Sequence, residues 1–377
     1  MKTWTKLILA VIIGLVGLGI RLDASSRLTI DADEDTYINN ALHYADSIRN
    51  GNWKQIYKYD QNVQHPVLNK LAYSVALLGV DPAVGLKDKD MVRKIPASQT
   101  EGALWVLTAR RMAAFLGGAS VFLLAWINPI AGLFLAFHSA HIRFTSEIYL
   151  ESLPALTSLA AMMAYIPWRK SEFSEKPGRL RWLWLAASAI FLGMTAAGKY
   201  IYCVVGLAIL VDFITHLVKN KQKMGQRLIT ITVWGLLAVA MFFVFNPIIW
   251  IYTWERLSAS ILFHINYPST DNVVGSGRDW WYPLYLLVRP TSVAYPWNKD
   301  VFLFEPDAWI TLLGFLGVPV LWRQKRAYAI WFGVSLIFLL IWATKWDQYV
   351  MIILPSLCLS AGMLVEWVGR WGWSRFR

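Results

Sequence analysis

Four carboxylates in five positions, Asp31, Asp33, Glu34 and Asp35 of "DADED", stand directly after the first long apolar run of a chain that otherwise avoids charge. Crowded carboxylates hold on to protons unless cations offset them, so the group suits a site that handles a proton. A local reading competes with this one. Asp31 and Glu34 have capping-box spacing, and Asp33 or Asp35 suits the positive end of a following helix. Capping uses one or two acids, and the surplus points to a site.

A site of this kind needs countercharges, and five cations stand at the ends of apolar runs on the same side as the acids. Arg110 and Arg111 open the second run, Arg143 follows the third, Lys199 joins the fifth and sixth, and Lys345 precedes the tenth. Cations at membrane depth are costly and usually have partners, although any single one can snorkel to the interface. Together they describe a positive pocket for a phosphate, with carboxylates beside it to handle a proton.

The elements that must position these residues are apolar. The chain has 377 residues, 56% hydrophobic and 16% charged, which describes a polytopic membrane protein. Runs long enough, or nearly so, to cross ~30 Å of hydrocarbon fall at about 5–22, 107–127, 129–142, 146–166, 182–198, 200–217, 228–250, 308–322, 327–343 and 349–368. The expected fold is therefore all-α, with about ten transmembrane helices. The apolar start is expected to be an uncleaved first span, since further spans follow it. The net charge of +12 is dispersed among hydrophobic runs without forming a stripe, which excludes a nucleic-acid role. Cys203 and Cys358 lie inside apolar runs and imply neither a disulfide framework nor a metal site.

With the N-terminus inside, "WRKSEFSEKPGRLR", "KNKQKMGQR", "RQKR" and the tail "GRWGWSRFR" all fall in the cytoplasm, as the positive-inside rule requires. Of the 24 acids, only Glu172, Glu175, Asp212 and Glu366 lie on or near that side. Two outer loops, about 23–106 and 251–307, are too long to be connectors. In the first, Tyr37, Ile38, Ala41, Leu42, Ala45 and Ile48 recur at helical spacing, which predicts an amphipathic helix on the outer membrane surface. In the second, "WWYPLYLLV" at 280–288 is too short to span and is expected at the interface.

These residues in this order resemble the GT-C membrane glycosyltransferases, in particular the branch of protein O-mannosyltransferases and lipid A aminoarabinose transferases. The resemblance rests on Asp33, Glu34, Tyr37 and Ala41 after the first span, and on His65 and Pro66 of "HPVLNKL" with Val67 in place of a second proline. Arg110 or Arg111 in "TARRMAAFLGG", Lys199 and Tyr200 in "GMTAAGKYIY", and Lys345, Tyr349 and Pro355 in "TKWDQYVMIILPSL" complete it. The chain departs from the pattern at "HIRFTSEIYLESL", where Arg143 is followed by Glu147 and Glu151 at shifted spacing, leaving the second acid open.

The resemblance implies a transmembrane glycosyltransferase module at 1–250 including loop 23–106, a second outer loop at 251–307, and C-terminal transmembrane helices at 308–377. It implies transfer of a sugar from a polyprenyl-phosphate donor to a hydroxyl of a protein, lipid or glycan at the outer face of the cytoplasmic membrane, with inversion. Asp33 is then the catalytic base and Glu34 its neighbour in positioning. Arg110, Arg111, Lys199, Lys345, Tyr349 and His65 are candidates for the donor phosphate. Arg143, Glu147, Glu151, Tyr37 and Tyr200 are candidates for the second acid or substrate contacts. No cofactor is required, although the acid cluster is of a type that holds Mg or Mn. A transporter or lipid flippase would place charge or broken helices near the midplane. A non-catalytic scaffold would not account for the ordered motifs.

Overall fold

The structure, a computed structural model, describes residues 3–59, 61–80, 97–99, 103–176, 178–289 and 306–375, with side chains to 370. Residues 81–96 of the first outer loop and 290–305 of the second lie outside this range. Helices carry the fold throughout. In chain order they are α1 Thr3–Arg27, α2 Glu34–Arg49, α3 Trp53–Lys58, α4 Leu68–Ala76, α5 Ala103–Ile127, α6 Pro129–Phe137, α7 Ser139–Phe144, α8 Ser152–Glu172, α9 Arg181–Gly198, α10 Val204–Lys219, α11 Met224–Phe245, α12 Thr253–Asn266, α13 Asp271–Val274, α14 Tyr282–Val288, α15 Asp307–Gln324, α16 Arg326–Ile341 and α17 Leu354–Arg375.

Among the described residues, four helical stretches are both long and apolar enough to cross a membrane: α1, α5, Tyr200–Lys219 and α11. Helix α16 is a shorter apolar helix. The expected third run, 129–142, is not one helix. Pro129 opens α6 behind the Asn128 cap, whose side chain accepts the Ala131 N–H at 2.9 Å. At His138 the backbone becomes extended, φ −69° and ψ 120°, before α7 begins. Two helices of 9 and 6 residues reach only about 14 and 9 Å at 1.5 Å per residue, too short to span singly.

The helices pack through close approaches rather than through a water-driven core. A Cβ added at Gly193 on α9 would stand 2.5 Å from the Met241 Cβ of α11, and one at Gly317 on α15 would stand 2.2 Å from the Ser360 carbonyl of α17. Small residues at such crossings allow the dispersion contacts that hold apolar helices together.

The helix read from residues 37–48 exists as α2, but its apolar face does not lie on a membrane surface. Tyr37, Ile38, Ala41, Leu42 and Ala45 are buried against Tyr73 of α4, Trp105, Val106, Ala109 and Ala113 of α5, and Ile148 and Leu150. Periodicity identifies an apolar face without naming what covers it, and here protein covers it. The 280–288 segment forms α14. Pro283 sits in its first turn, where a missing N–H costs nothing, and so opens the helix without breaking it.

Candidate active site

Five chain segments meet at one end of the bundle: the α1–α2 connection, the loop between α7 and α8, the α9–α10 junction, the second outer loop, and a 3₁₀ stretch, Asp347–Ile352. The four acids of "DADED" divide their work there. Glu34 forms a bidentate pair with Arg110, Nε to Oε1 at 2.8 Å, in which both side chains are almost fully buried. It also accepts the Asp31 N–H at 2.9 Å, half of the anticipated capping box, and the Ile148 N–H at 2.7 Å. Asp31 accepts the Tyr149 hydroxyl at 2.7 Å and pairs with Arg143 at 3.2 Å. Asp35 accepts the N–H and hydroxyl of Thr36. Asp33 alone has a carboxylate that takes no hydrogen bond among the described residues, and it lines a polar cavity of about 400 Å³.

The cavity wall also carries Arg143, Tyr149, Tyr267, Arg278 and Trp346. Partial burial, then the nearby Asp31, pushes the Asp33 carboxyl above its ordinary range, with Lys199 opposing. A carboxylate moved toward neutrality and left without donors is well matched to accepting a proton. Lys199 is close enough to Asp33 for each to shift the other. It stands in extended backbone, φ −163°, where α9 stops at Gly198, so its side chain projects from the helix end. Its ammonium pairs with Glu151 and lies 5.3 Å from the ring centre of Tyr349. Burial works against its charge, but Glu151, Tyr349 and Asp33 outweigh it and hold the ammonium above its ordinary range.

Glu147 sits in the same loop as Glu151, paired with Arg143 at 3.3 Å, and burial pushes it up to about 8. The two acids left open by the sequence therefore have separate partners. Tyr37 is buried with its ring 6.5 Å from that of Tyr149. His65 stands 5.8 Å from His264, which is 5.8 Å from Tyr200. Burial, followed by Lys199, Lys70 and His264, holds the His65 imidazole well below its ordinary range and so neutral, a hydrogen-bonding group without charge.

Beyond Tyr200 and His264 opens a cavity of about 1040 Å³ lined almost wholly by apolar side chains, among them Leu207, Leu210, Val239 and Phe242. The polar cavity and the apolar one thus flank the Lys199, His65 and Tyr200 neighbourhood.

Three of the anticipated phosphate ligands have side chains engaged in other contacts or turned outward. Arg110 spends its N–H groups on Glu34 and on the carbonyls of Ser25, Leu28 and Thr29, each at 2.8 Å, locking the end of α1 to α2. Arg111, one residue on and about 100° round the helix, is exposed on the outside of α5. Lys345 donates to the carbonyls of Leu339 and Leu340, at 2.8 and 2.9 Å, and of Trp342, capping the end of α16. Sequence reading missed His264, Asn272, Arg278 and Tyr149 as neighbours of the site. Arg278, whose guanidinium lies 4.8 Å from the Tyr282 ring centre and 4.9 Å from that of Trp346, sits in an irregular loop with no periodic signal. Among the described residues no group of three or more metal-ligating side chains comes together.

This fold is shared with membrane glycosyltransferases of known structure. ArnT from Cupriavidus metallidurans bound to undecaprenyl phosphate matches with a TM-score of 0.60 and 16% identity over 95% of this chain and 60% of that one. The archaeal oligosaccharyltransferase AglB from Archaeoglobus fulgidus, in complex with an inhibitory peptide and a dolichol-phosphate, matches with 0.55 and 13% over 99% and 51%. The S. cerevisiae protein O-mannosyltransferase Pmt1-Pmt2 complex bound to the sugar donor matches with 0.51 and 19% over 66% and 34%. The chain thus spans about three fifths of the ArnT chains it resembles. No family model and no curated protein matches it. The fold is that of the GT-C glycosyltransferases.

Proposed function

We propose that the protein transfers a sugar from a polyprenyl-phosphate donor to a hydroxyl acceptor on the outer face of the cytoplasmic membrane, with both termini inside and about ten spans. The observation that carries this reading is the unpartnered Asp33 carboxylate, which faces a polar cavity beside a charged Lys199. The likeness to glycosyltransferases, several with a polyprenyl phosphate or a sugar donor bound, supports it.

In this scheme the prenyl chain occupies the apolar cavity and the phosphate rests by Lys199, with His65 and Tyr349 donating to its oxygens. Asp33 takes the proton of the acceptor hydroxyl. The acceptor oxygen bonds to C1 of the sugar as the bond from C1 to the phosphate oxygen breaks, and the electron pair leaves on the prenyl phosphate. A single displacement inverts C1. Lys199 counters the charge growing on the leaving group, and Glu151 holds the ammonium in place. Glu34 and Arg110 act one step back, fixing the loop that carries Asp33, a division of labour that departs from phosphate binding by Arg110.

The test is release or transfer of sugar from radiolabelled polyprenyl-phosphate sugars by the purified protein, comparing wild type with Asp33→Asn. Loss of a general base is expected to slow turnover by about 10²–10⁴-fold with donor binding retained. Equal activity of the two proteins would remove Asp33 from the mechanism.

A further inference from the structure

At the opposite end of the bundle, one length of α8 from Glu151, lies a cavity that the proposed reaction does not use. Helix α8 has 21 residues, about 30 Å at 1.5 Å per residue. The cavity, of about 220 Å³, is lined by Glu172, Ser174, Arg181, Lys223, Gln226 and Arg227. Three cations therefore face one carboxylate. The Arg227 side chain belongs to a residue only 6% exposed, yet its guanidinium makes a single hydrogen bond, Nη1 to the Asn220 carbonyl at 2.7 Å, and packs 4.4 Å from the ring centre of Phe173. Its remaining N–H groups have no partner among the described residues and are open to the cavity that Arg227 lines. Lys223, at the start of α11 in left-handed backbone with φ 56°, makes no ion pair among the described residues. Arg181 reaches Glu172 only at 3.6 Å.

The surroundings define the ligand. Leu180, Trp182 and Leu183, adjacent in sequence to Arg181, and Met224 and Leu228, adjacent to Lys223 and Arg227, are all exposed, so exposed apolar side chains neighbour the lining of a cationic pocket at a helix-bundle end. That combination suits a small anionic head carrying a greasy tail, and the volume is too small for a large ligand. Donors from Arg227 and Lys223, with Arg181 held only loosely by Glu172, match the oxygens of a phosphate diester, and the surplus of two positive charges over Glu172 suits its single negative charge. We infer that this cavity binds the phosphate of an anionic phospholipid.

Native mass spectrometry of the purified full chain in neutral detergent tests the inference, with dioleoyl phosphatidylglycerol, dioleoyl phosphatidylcholine and inorganic phosphate titrated separately. Phosphatidylglycerol is expected to bind more tightly than phosphatidylcholine. Each removed cation should weaken it about fivefold, so Arg181→Gln/Lys223→Gln should lose on the order of 25-fold. A Lys219→Gln/Lys221→Gln control outside the cavity should bind as wild type does. Lys223→Gln alone, an exposed position, reads the same effect if the double variant folds poorly. Equal binding of the two lipids, or equal losses in the cavity and control variants, would overturn the inference. Inorganic phosphate binding with the same cation dependence, while phosphatidylglycerol fails to bind, would keep a phosphate site and overturn a lipid as its source.

Discussion

Replacing Arg110 by Met tests the division of labour at "DADED". The guanidinium and Glu34 are almost fully buried, and Arg110 also satisfies the carbonyls of Ser25, Leu28 and Thr29. Arg110→Met leaves the Glu34 carboxylate with only the Asp31 and Ile148 N–H groups. An uncompensated buried charge costs about 3–5 kcal/mol, and each orphaned carbonyl about 1–3 kcal/mol where water does not reach it. Against a usual total of about 5–15 kcal/mol, the single variant is expected to be severely destabilised. Glu34→Gln/Arg110→Met removes the charge and keeps an acceptor oxygen for one of the two N–H groups, which donate to different carboxylate oxygens, while its amide NH2 faces the other. It should recover about 2–3 kcal/mol relative to Arg110→Met, the coupling expected of residues in one buried network. Reversible unfolding in mixed micelles, followed by circular dichroism across the four members of the cycle, measures this. A double variant no more stable than Arg110→Met would refute a structural pairing. A stable Arg110→Met protein with donor KM raised tenfold or more would return Arg110 to the phosphate.

Other outcomes follow from the same geometry. Burial pushes Glu147 from 4.5 to about 8, so the folded protein holds a proton there that the unfolded chain has released. Stability is then expected to fall as pH rises between about 4.5 and 8, by at most about 1.4 kcal/mol per unit. Unfolding titrations of Glu147→Gln should lack that slope, and an unchanged slope would exclude Glu147 as its source. Lys199→Met should abolish turnover, whereas Lys345→Met, which removes the cap of α16, should cost about 1–3 kcal/mol of stability and leave donor KM within about twofold. A donor KM shift in Lys345→Met comparable to that in Lys199→Met would contradict this assignment. Gly235 lines the apolar cavity and a Cβ added there meets nothing within 4 Å, so Gly235→Trp should raise KM for long prenyl donors more than for short ones. Equal effects on both would disconnect the cavity from the prenyl chain.

Much of the architecture was legible from local properties. Run length and hydropathy mark α1, α5, α10 and α11, because a helix that crosses a membrane must satisfy its own backbone and present apolar side chains all along. The spacing of Tyr37, Ile38, Ala41, Leu42 and Ala45 marks α2 for a similar reason. The crowding of Asp31, Asp33, Glu34 and Asp35 marks a place where charge is being used. What covers the apolar face of α2 was not legible, since α4, α5 and a lipid surface impose the same periodicity. Nor was the break at His138, where apolar composition continues through a change of backbone direction.

The amino-acid sequence by itself determined a helical membrane chain with an acidic cluster beyond its first long apolar helix, since hydropathy and helical spacing act within a few residues. Only the tertiary structure decided which carboxylate is free and which cation faces it. Arg110 meets Glu34 across 76 positions and Lys199 meets Glu151 across 48, separations at which residue type carries no record of its partner. Once Arg110, Arg143 and Thr36 have claimed the other acids, Asp33 is left to the cavity.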